Sequence, residues 1–313
     1  MGSRNVRSPE FSRNYGFWSE SEQEALVAAK VAIGGVGGDG FQLGLKLARM
    51  GVSRFSIADP EVFEPENINR VEGASGSTCG RNKAEVFRDR VLDINPDAQV
   101  EIFLSGVTPE NIEPFMRDAS LVLDESELTR PEIGTLIARR ARAQGIPDLL
   151  VMNVGFAAQV TSFAPDSAWT FERFMGFSAD TPLDEIAGAG VDLARCLPYI
   201  PPYTDLRSLQ AVQGENGEQP ASLPSISVGV DLASAIGSTQ AFLHLTAGVT
   251  NRRRSPIWAP RVAYTDAYLM RTRTLRAGRA SFMRHVLIAS ARQRLGLNPL
   301  GSYTLADIAR RAS

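Results

Sequence analysis

Short apolar runs alternate along the first half of the chain with segments whose apolar residues recur every three or four positions. The run from Val31 to Ile33 predicts a buried strand, and Phe41, Leu45 and Ala48 follow at helical spacing until Gly51. The same reading predicts strands near 30–35, 54–59, 99–105, 120–124 and 149–155, and helices near 39–50, 82–94, 109–117 and 131–144. Alternating strands and helices favour right-handed crossovers, so we expect a doubly wound α/β fold with a mainly parallel sheet.

The pattern changes after Gly155. The stretch "FAAQVTSFAP" predicts one more strand, and a helix rich in small residues is expected from Pro224 to Gly248. Strand-like runs follow in 255–272, and Thr304 and Asp307 have the spacing of a capping box in a last helical region. We therefore divide the chain into an N-terminal arm and helix (1–29), a nucleotide-binding α/β core (30–165), a crossing loop or insert (166–222), a core-packing helix (223–250) and a basic C-terminal extension (251–313).

Composition places the chain among ordinary globular proteins. It has 313 residues, of which 43% are hydrophobic and 22% charged, enough for a large core. Cys79 and Cys196 are its two cysteines, so the sequence predicts neither a disulfide framework nor a zinc site, and it suggests a reducing, cytoplasmic setting. No apolar run approaches the length of a membrane span, and we expect no membrane association.

Charge is unevenly distributed. The segment from Asn251 onward has thirteen arginines, no lysine and two acids, which makes it about +11 within a chain whose net charge is −2. One interpretation is that basic helices pack across the acidic body or across a dimer partner. The alternative is a surface that binds nucleic acid, although no interleaved aromatic residues support it.

A glycine-rich turn gives the first chemical signal. Gly35, Gly37 and Gly40 form a G-x-G-x-x-G run between a predicted strand and a predicted helix, and Asp59 follows about 20 residues later. Such a turn brings backbone N–H groups close to a phosphate, and an acid at that distance commonly contacts a ribose hydroxyl. This unit predicts a nucleotide site but leaves undecided whether the ligand is a redox dinucleotide or another phosphate-bearing molecule.

The residues that follow the acid favour ATP. Asp59, Glu61, Asn67, Arg70 and Lys83 lie in a polar run of two dozen positions, where a redox domain would usually continue into a helix. They supply an acceptor for ribose, a neutral amide and two cations, a set suited to a triphosphate. A redox enzyme, our least favoured alternative, would leave Arg70 and Lys83 without a role.

These motifs carry a family resemblance. The pattern D-x-E-x-x-x-x-x-N-x-N-R from Asp59 to Arg70, followed by "GRNK", resembles the ThiF/MoeB/HesA branch of the ubiquitin-activating-enzyme superfamily. The resemblance covers residues 10–165 and resumes in the 224–248 helix. It implies a Rossmann-like ThiF-type fold that binds ATP and magnesium and adenylates a carboxylate, commonly the C-terminal glycine of a small ubiquitin-like protein.

The resemblance also implies residue roles. Arg13 matches an arginine that each subunit of a family homodimer inserts into the neighbouring site, and Glu127 falls on the magnesium-binding position, where relatives have aspartate. Val71 and Asn82 replace a usual glutamine and proline, and the zinc-binding cysteine pairs of many relatives are missing. The predicted catalytic residues are Arg13, Arg70 and Lys83, and the predicted nucleotide-binding residues are Gly35, Gly37, Gly38, Gly40, Asp59, Glu61, Asn67, Arg70, Lys83, Asp124 and Glu127.

Three questions stay open at this point. Cys196 falls where some relatives have a thioester-forming cysteine, yet its apolar neighbours favour simple packing. The spacing of "LDESELTRP" also resembles the branch that dehydrates threonylcarbamoyladenosine in transfer RNA, which would give the basic extension a purpose. The replacements at Glu127 and Val71 leave room for a nucleotide-binding but inactive partner protein.

Overall fold

The computed structural model describes residue 6 and residues 8–189, 191–205, 224–250 and 254–298. Within these ranges, eight strands form one sheet in the order β3-β2-β1-β4-β5-β6-β7-β8. Their bounds are β1 Lys30–Gly34, β2 Arg54–Ala58, β3 Gln99–Phe103, β4 Leu121–Asp124, β5 Asp148–Val154, β6 Ala157–Phe163, β7 Arg261–Asp266 and β8 Arg271–Arg276. The predicted capping box at Thr304 and Asp307 lies outside the described residues.

The sheet has a parallel and an antiparallel half. The first five strands pair in parallel, and the strand order reverses direction between β1 and β4. The last three strands join by antiparallel pairing, starting with the tight β5–β6 hairpin. This arrangement confirms the predicted doubly wound α/β fold, in which ligands bind at the carboxyl ends of the strands beside the reversal point.

Helices cover both faces of the sheet, and two 3₁₀ turns lie at Pro9–Phe11 and Pro65–Asn67. The helices of the described ranges are α1 Glu20–Ala28, α2 Gly38–Met50, α3 Lys83–Ile94, α4 Ile112–Met116, α5 Pro131–Gln144, α6 Phe171–Met175, α7 Leu183–Ala189, α8 Leu193–Cys196, α9 Ser227–Leu245 and α10 Arg279–Arg294. None of these helices is both long and apolar enough to cross a membrane.

The central strands β1 and β4 are mostly apolar and buried at every position because both of their faces are covered. Every position of β1 is buried, with Val31 and Ile33 facing α2 and α9 while Ala32 faces α4 and α5. On the first face Phe41 of α2 packs edge-on against Phe87 of α3, at 5.4 Å between ring centroids. This core fixes α2, and with it the glycine turn that precedes it.

In its described residues, the segment expected to be irregular contains three short helices, α6, α7 and α8. Thr170 and Asp192 accept backbone hydrogen bonds at the starts of α6 and α8, and Phe171, Phe174 and Cys196 are buried. Sequence reasoning missed these helices because they are only four to seven residues long. Helices of that length depend on tertiary packing rather than on periodicity.

Candidate nucleotide site

A cavity of about 350 Å³ lies at the carboxyl ends of the parallel strands. It extends from the side of β2 and β3, across the glycine turn after β1, to the end of β5. The structure brings most of the predicted residues to its walls: Gly35, Gly37, Gly38, Gly40, Asp59, Glu61, Arg70, Lys83 and Glu127.

The glycine turn closes tightly on itself. Gly35 has a φ of +108° and donates its N–H to the Ala58 carbonyl at 2.9 Å. A Cβ atom on Gly35 would collide with the Glu125 carbonyl oxygen, and one on Gly40 would collide with the Gly35 carbonyl oxygen. Glycine is therefore required at both positions, and the N-terminus of α2 stays open toward the cavity for an anionic ligand.

Asp59 connects this turn to the polar loop after β2. One carboxylate oxygen accepts the Val36 N–H at 2.8 Å and the other accepts the Glu61 N–H at 2.9 Å. Burial raises the pKa of Asp59, while the charge of Lys83 opposes that shift. Each oxygen has a further lone pair, so the carboxylate can still accept a hydroxyl hydrogen bond from a ligand.

The two predicted cations reach the cavity by different routes. Lys83 is the first residue of α3, whose N-terminus is capped by Asn82 through hydrogen bonds from Ala84 and Glu85, and its ammonium group pairs with the Glu61 carboxylate. The Arg70 guanidinium donates at 2.9 Å to the Glu66 carbonyl. Both cations line the cavity, and Lys83 is only 6% exposed.

Two predicted nucleotide-binding residues lie behind the cavity wall instead. Asn67 is buried, and its side-chain oxygen accepts the Glu64 N–H at 3.1 Å, which caps the second 3₁₀ turn. Asp124 is also buried and accepts both the backbone N–H and the hydroxyl of Ser126, at 3.1 and 2.6 Å. Burial raises the pKa of Asp124 to about 6. Both side chains form hydrogen bonds within the loops that line the cavity. Their predicted contacts with a ligand stay predictions.

Arg13 and Cys196 also lie away from the cavity walls. Arg13 is exposed after the first 3₁₀ turn, so its predicted entry into a partner's site stays a prediction. The Cys196 side chain is fully buried, and burial raises the pKa of its thiol to about 12. A thiol in this environment is a poor nucleophile, which speaks against the thioester role that the sequence left open.

The cavity has polar residues that sequence reasoning missed. Asp39 accepts two hydrogen bonds from the Asn153 amide, at 3.0 and 2.9 Å, and the Asn153 oxygen accepts the Ser225 hydroxyl at 2.8 Å. Glu125 and Arg130 also line the cavity. Asp39 was visible inside the glycine run itself, and Asn153 lies near the end of a parallel strand, where ligand contacts are expected.

Among the described residues, no group of three or more histidine, cysteine, aspartate or glutamate side chains could hold a metal ion. Glu127 is exposed at the cavity and accepts the Thr129 hydroxyl at 2.9 Å. Because magnesium usually binds through one or two carboxylates together with substrate phosphates, Glu127 fits a metal that arrives with a nucleotide.

Comparison with known proteins identifies the family. The ThiF family model matches residues 11–282. This chain belongs to the ThiF family. It is 36% identical over 106 residues to the tRNA threonylcarbamoyladenosine dehydratase of Bacillus subtilis, covering 34% of this chain and 42% of that protein. It is 29% identical over 145 residues to the sulfur carrier protein ThiS adenylyltransferase of Escherichia coli, covering 46% of this chain and 56% of that protein.

The ThiF-family chain thus spans about half the length of these two curated relatives. Among solved structures, E. coli MccB with ATP superposes with a TM-score of 0.62 over 88% of this chain and 73% of MccB, at 16% identity. At that identity the likeness shows a shared fold.

Proposed function

We propose that this protein adenylates a carboxylate on a peptide or small ubiquitin-like protein, consuming ATP and releasing pyrophosphate. The observation that carries the proposal is the convergence of four features on one cavity: the open N-terminus of α2, the buried Asp59, and the cations Arg70 and Lys83. The names of ThiS adenylyltransferase and of MccB bound to ATP and to the peptide MccA support the reaction class and the kind of acceptor.

Each residue has a defined part in this reaction. Asp59 accepts a ribose hydroxyl, and the N-terminus of α2 faces the phosphates. The acceptor carboxylate attacks the α-phosphorus, so that a new O–P bond forms while the bond to the departing pyrophosphate breaks. Arg70 and Lys83 offset the negative charge that grows on the phosphoryl oxygens, and Lys83 exchanges its Glu61 partner for the triphosphate. Glu127 would hold magnesium on the phosphates, and the metal would neutralise part of their charge.

Nucleotide binding is the first test because it needs no acceptor. Calorimetry should show binding of ATP with magnesium and no comparable binding of NAD. The reverse result, NAD binding without ATP binding, contradicts the proposal. ATP–pyrophosphate exchange in the presence of candidate acceptors then tests the chemical step.

A second candidate is action on transfer RNA. It is favoured by the similarity to a tRNA threonylcarbamoyladenosine dehydratase and by Arg271, Arg273 and Arg276, which are exposed on the edge strand β8. Filter binding with transfer RNA distinguishes this candidate: salt-sensitive retention that falls when Arg271 and Arg273 become alanine supports it, and no retention at low salt removes it.

A third candidate is a protein that binds nucleotide without catalysing the reaction. Glu127 is one methylene longer than the family aspartate, and Val71 is buried in the core where relatives have glutamine. Activity that appears only after Glu127→Asp would favour this candidate.

A further inference from the structure

The loop after β2 holds the Arg70 side chain by one corner of its guanidinium. The Nη1 atom donates to the Glu66 carbonyl and to the Asn69 side-chain oxygen, both at 2.9 Å. These are the hydrogen bonds that the guanidinium forms with the described residues, so its Nε and Nη2 atoms stay available to a ligand. A planar guanidinium fixed in this way can present its remaining N–H groups to a phosphate as a fork.

The backbone of Arg70 is also fixed, and its charge reaches the first turn of α2. Gln42, a buried residue of α2, donates from its amide nitrogen to the Arg70 carbonyl at 3.3 Å. Burial raises the pKa of Asp39 to about 7, while the Asn153 hydrogen bonds and the charge of Arg70 oppose that rise. Arg70 therefore lies near the helix N-terminus that faces the phosphates in the proposed reaction.

Asn69 connects this arginine to a distant part of the chain. Its amide nitrogen donates to the Ser225 carbonyl at 3.0 Å, across 156 positions of sequence. The amide is thus oriented from both sides, because its oxygen faces the Arg70 donor and its nitrogen faces a carbonyl acceptor. The exposed Asn69 side chain is held between Arg70 and Ser225, and this restricts the rotamers that it can adopt.

Ser225 is anchored in turn on its other side. Its hydroxyl donates to the Asn153 side-chain oxygen at 2.8 Å, and the Asn153 amide nitrogen donates to both carboxylate oxygens of Asp39. We call Asn69, Ser225 and Asn153 the clasp. It joins the loop after β2, the segment before α9, the end of β5 and the first turn of α2 around one cavity.

We propose that the clasp positions Arg70 for the triphosphate, with Asn69 in direct contact with the guanidinium and Ser225 holding Asn69 in place. This inference rests on the proposed adenylation and adds two positioning residues to it. Asn69 acts on the ligand through Arg70, and Ser225 acts through Asn69. Their effect on binding follows because a fixed cation stabilises a phosphate only at the distance and orientation that the fold has set beforehand.

A double-mutant cycle tests the coupling between Asn69 and Arg70. Calorimetry measures the dissociation constant of a non-hydrolysable ATP analogue, with magnesium, for the full chain, for Asn69→Ala, for Arg70→Ala and for the double variant. We expect Arg70→Ala to weaken binding by about tenfold or more and Asn69→Ala by about fivefold, since hydrogen bonds to charged groups are among the stronger ones. In the Arg70→Ala background, Asn69→Ala should change the constant by less than about twofold, because no guanidinium remains to be positioned.

A second ligand separates positioning from general damage to the cavity. Adenosine has the base and the ribose but no phosphate, so Asn69→Ala should leave its dissociation constant unchanged. Damage to the cavity as a whole would weaken the ATP analogue and adenosine by equal factors. Ile68→Ala is the matched control, because Ile68 is exposed beside Asn69 and lies outside the cavity walls, and it should change neither constant.

Variants of Ser225 test the second step. Ser225→Ala removes the hydroxyl that Asn153 accepts and should weaken the ATP analogue by about threefold in the wild-type background, with less than about a twofold effect when Arg70 is already alanine. Ser225→Thr keeps a hydroxyl and should bind the analogue as the wild type does. Circular dichroism verifies folding, and the Asn69 cycle serves alone if Ser225→Ala does not fold.

Three results would overturn the inference: an unchanged constant in Asn69→Ala, an equal loss with and without Arg70, or equal losses for the ATP analogue and adenosine. A loss at Ser225→Ala that persists without Arg70 would instead show that Ser225 contacts the ligand itself, which contradicts its place in the clasp. Failure of the proposed function looks different, because the wild-type chain then binds no ATP analogue at all, whereas failure of the inference alone leaves tight binding with additive losses.

Discussion

The acids of the cavity differ in how many hydrogen-bond partners the protein gives to their carboxylate oxygens. In the loop after β2, each oxygen of Asp59 accepts a backbone N–H, and Lys83 lies close enough to oppose the rise in its pKa. Beside the first turn of α2, the Asn153 amide holds both carboxylate oxygens of Asp39, and Glu125 has a shielded oxygen with no hydrogen-bond partner among the described residues. The difference shows that protein groups satisfy both oxygens of Asp59 but not those of Glu125.

Removing a cation from the cavity should have the largest effect. We expect Lys83→Ala to lower ATP–pyrophosphate exchange by about 100-fold or more, since it removes a fixed charge that stabilises the transition state. Lys46→Ala on α2, outside the cavity walls, is the matched control and should keep near-normal exchange. Equal losses of exchange activity in the two variants would show that Lys83 has no specific role in the reaction.

The cavity is expected to be completed by a second copy of the chain. If Arg13 enters the partner's site, mixing an Arg13→Ala chain with a Lys83→Ala chain creates one intact site in each mixed dimer. If the subunits mix at random, about one quarter of the wild-type ATP–pyrophosphate exchange activity should return from two chains that are inactive alone. No recovery, despite subunit exchange shown by mass spectrometry, would contradict a site built from two chains.

We expect the smallest effect on the free energy of unfolding, when Glu125 is replaced by glutamine. Burial and the charges of Asp39, Asp124 and Asp148 raise the pKa of Glu125 well above its ordinary value. The folded state therefore loses stability as pH rises above about 4.5, by at most about 1.4 kcal/mol per pH unit. In urea unfolding, Glu125→Gln should be more stable than wild type at pH 8, and the difference should shrink toward pH 5.

Asp59→Asn provides the comparison for that stability test. Replacing a carboxylate oxygen by an amide NH₂ sets a donor against a backbone N–H, so we expect a loss of about 1–3 kcal/mol. A gain in stability for Asp59→Asn, or a loss at pH 8 for Glu125→Gln, would remove the distinction between Asp59 and Glu125.

The sequence predicted the parallel half of this protein well because its signals are local. Apolar runs alternate with helical spacing through residues 30–154, and the glycine turn, Asp59 and the "GRNK" motif lie in one continuous stretch. Asn82 illustrates the limit of such reasoning. It stands out in the sequence only as a departure from the family proline, yet the structure shows it capping α3 and presenting Lys83 to the cavity.

The sequence by itself determined the succession of strands and helices along the chain, the glycine turn and the two cations near it, because each depends on residues close together in the chain. Only the tertiary structure decided which acids face the cavity. Asn67 and Asp124 point into the supporting loops, while Asp39, Glu125, Asn153 and Ser225 meet from segments up to 186 positions apart. Their meeting follows from strand order and helix packing, which bring distant residues to one edge of the sheet and leave no signal in local spacing.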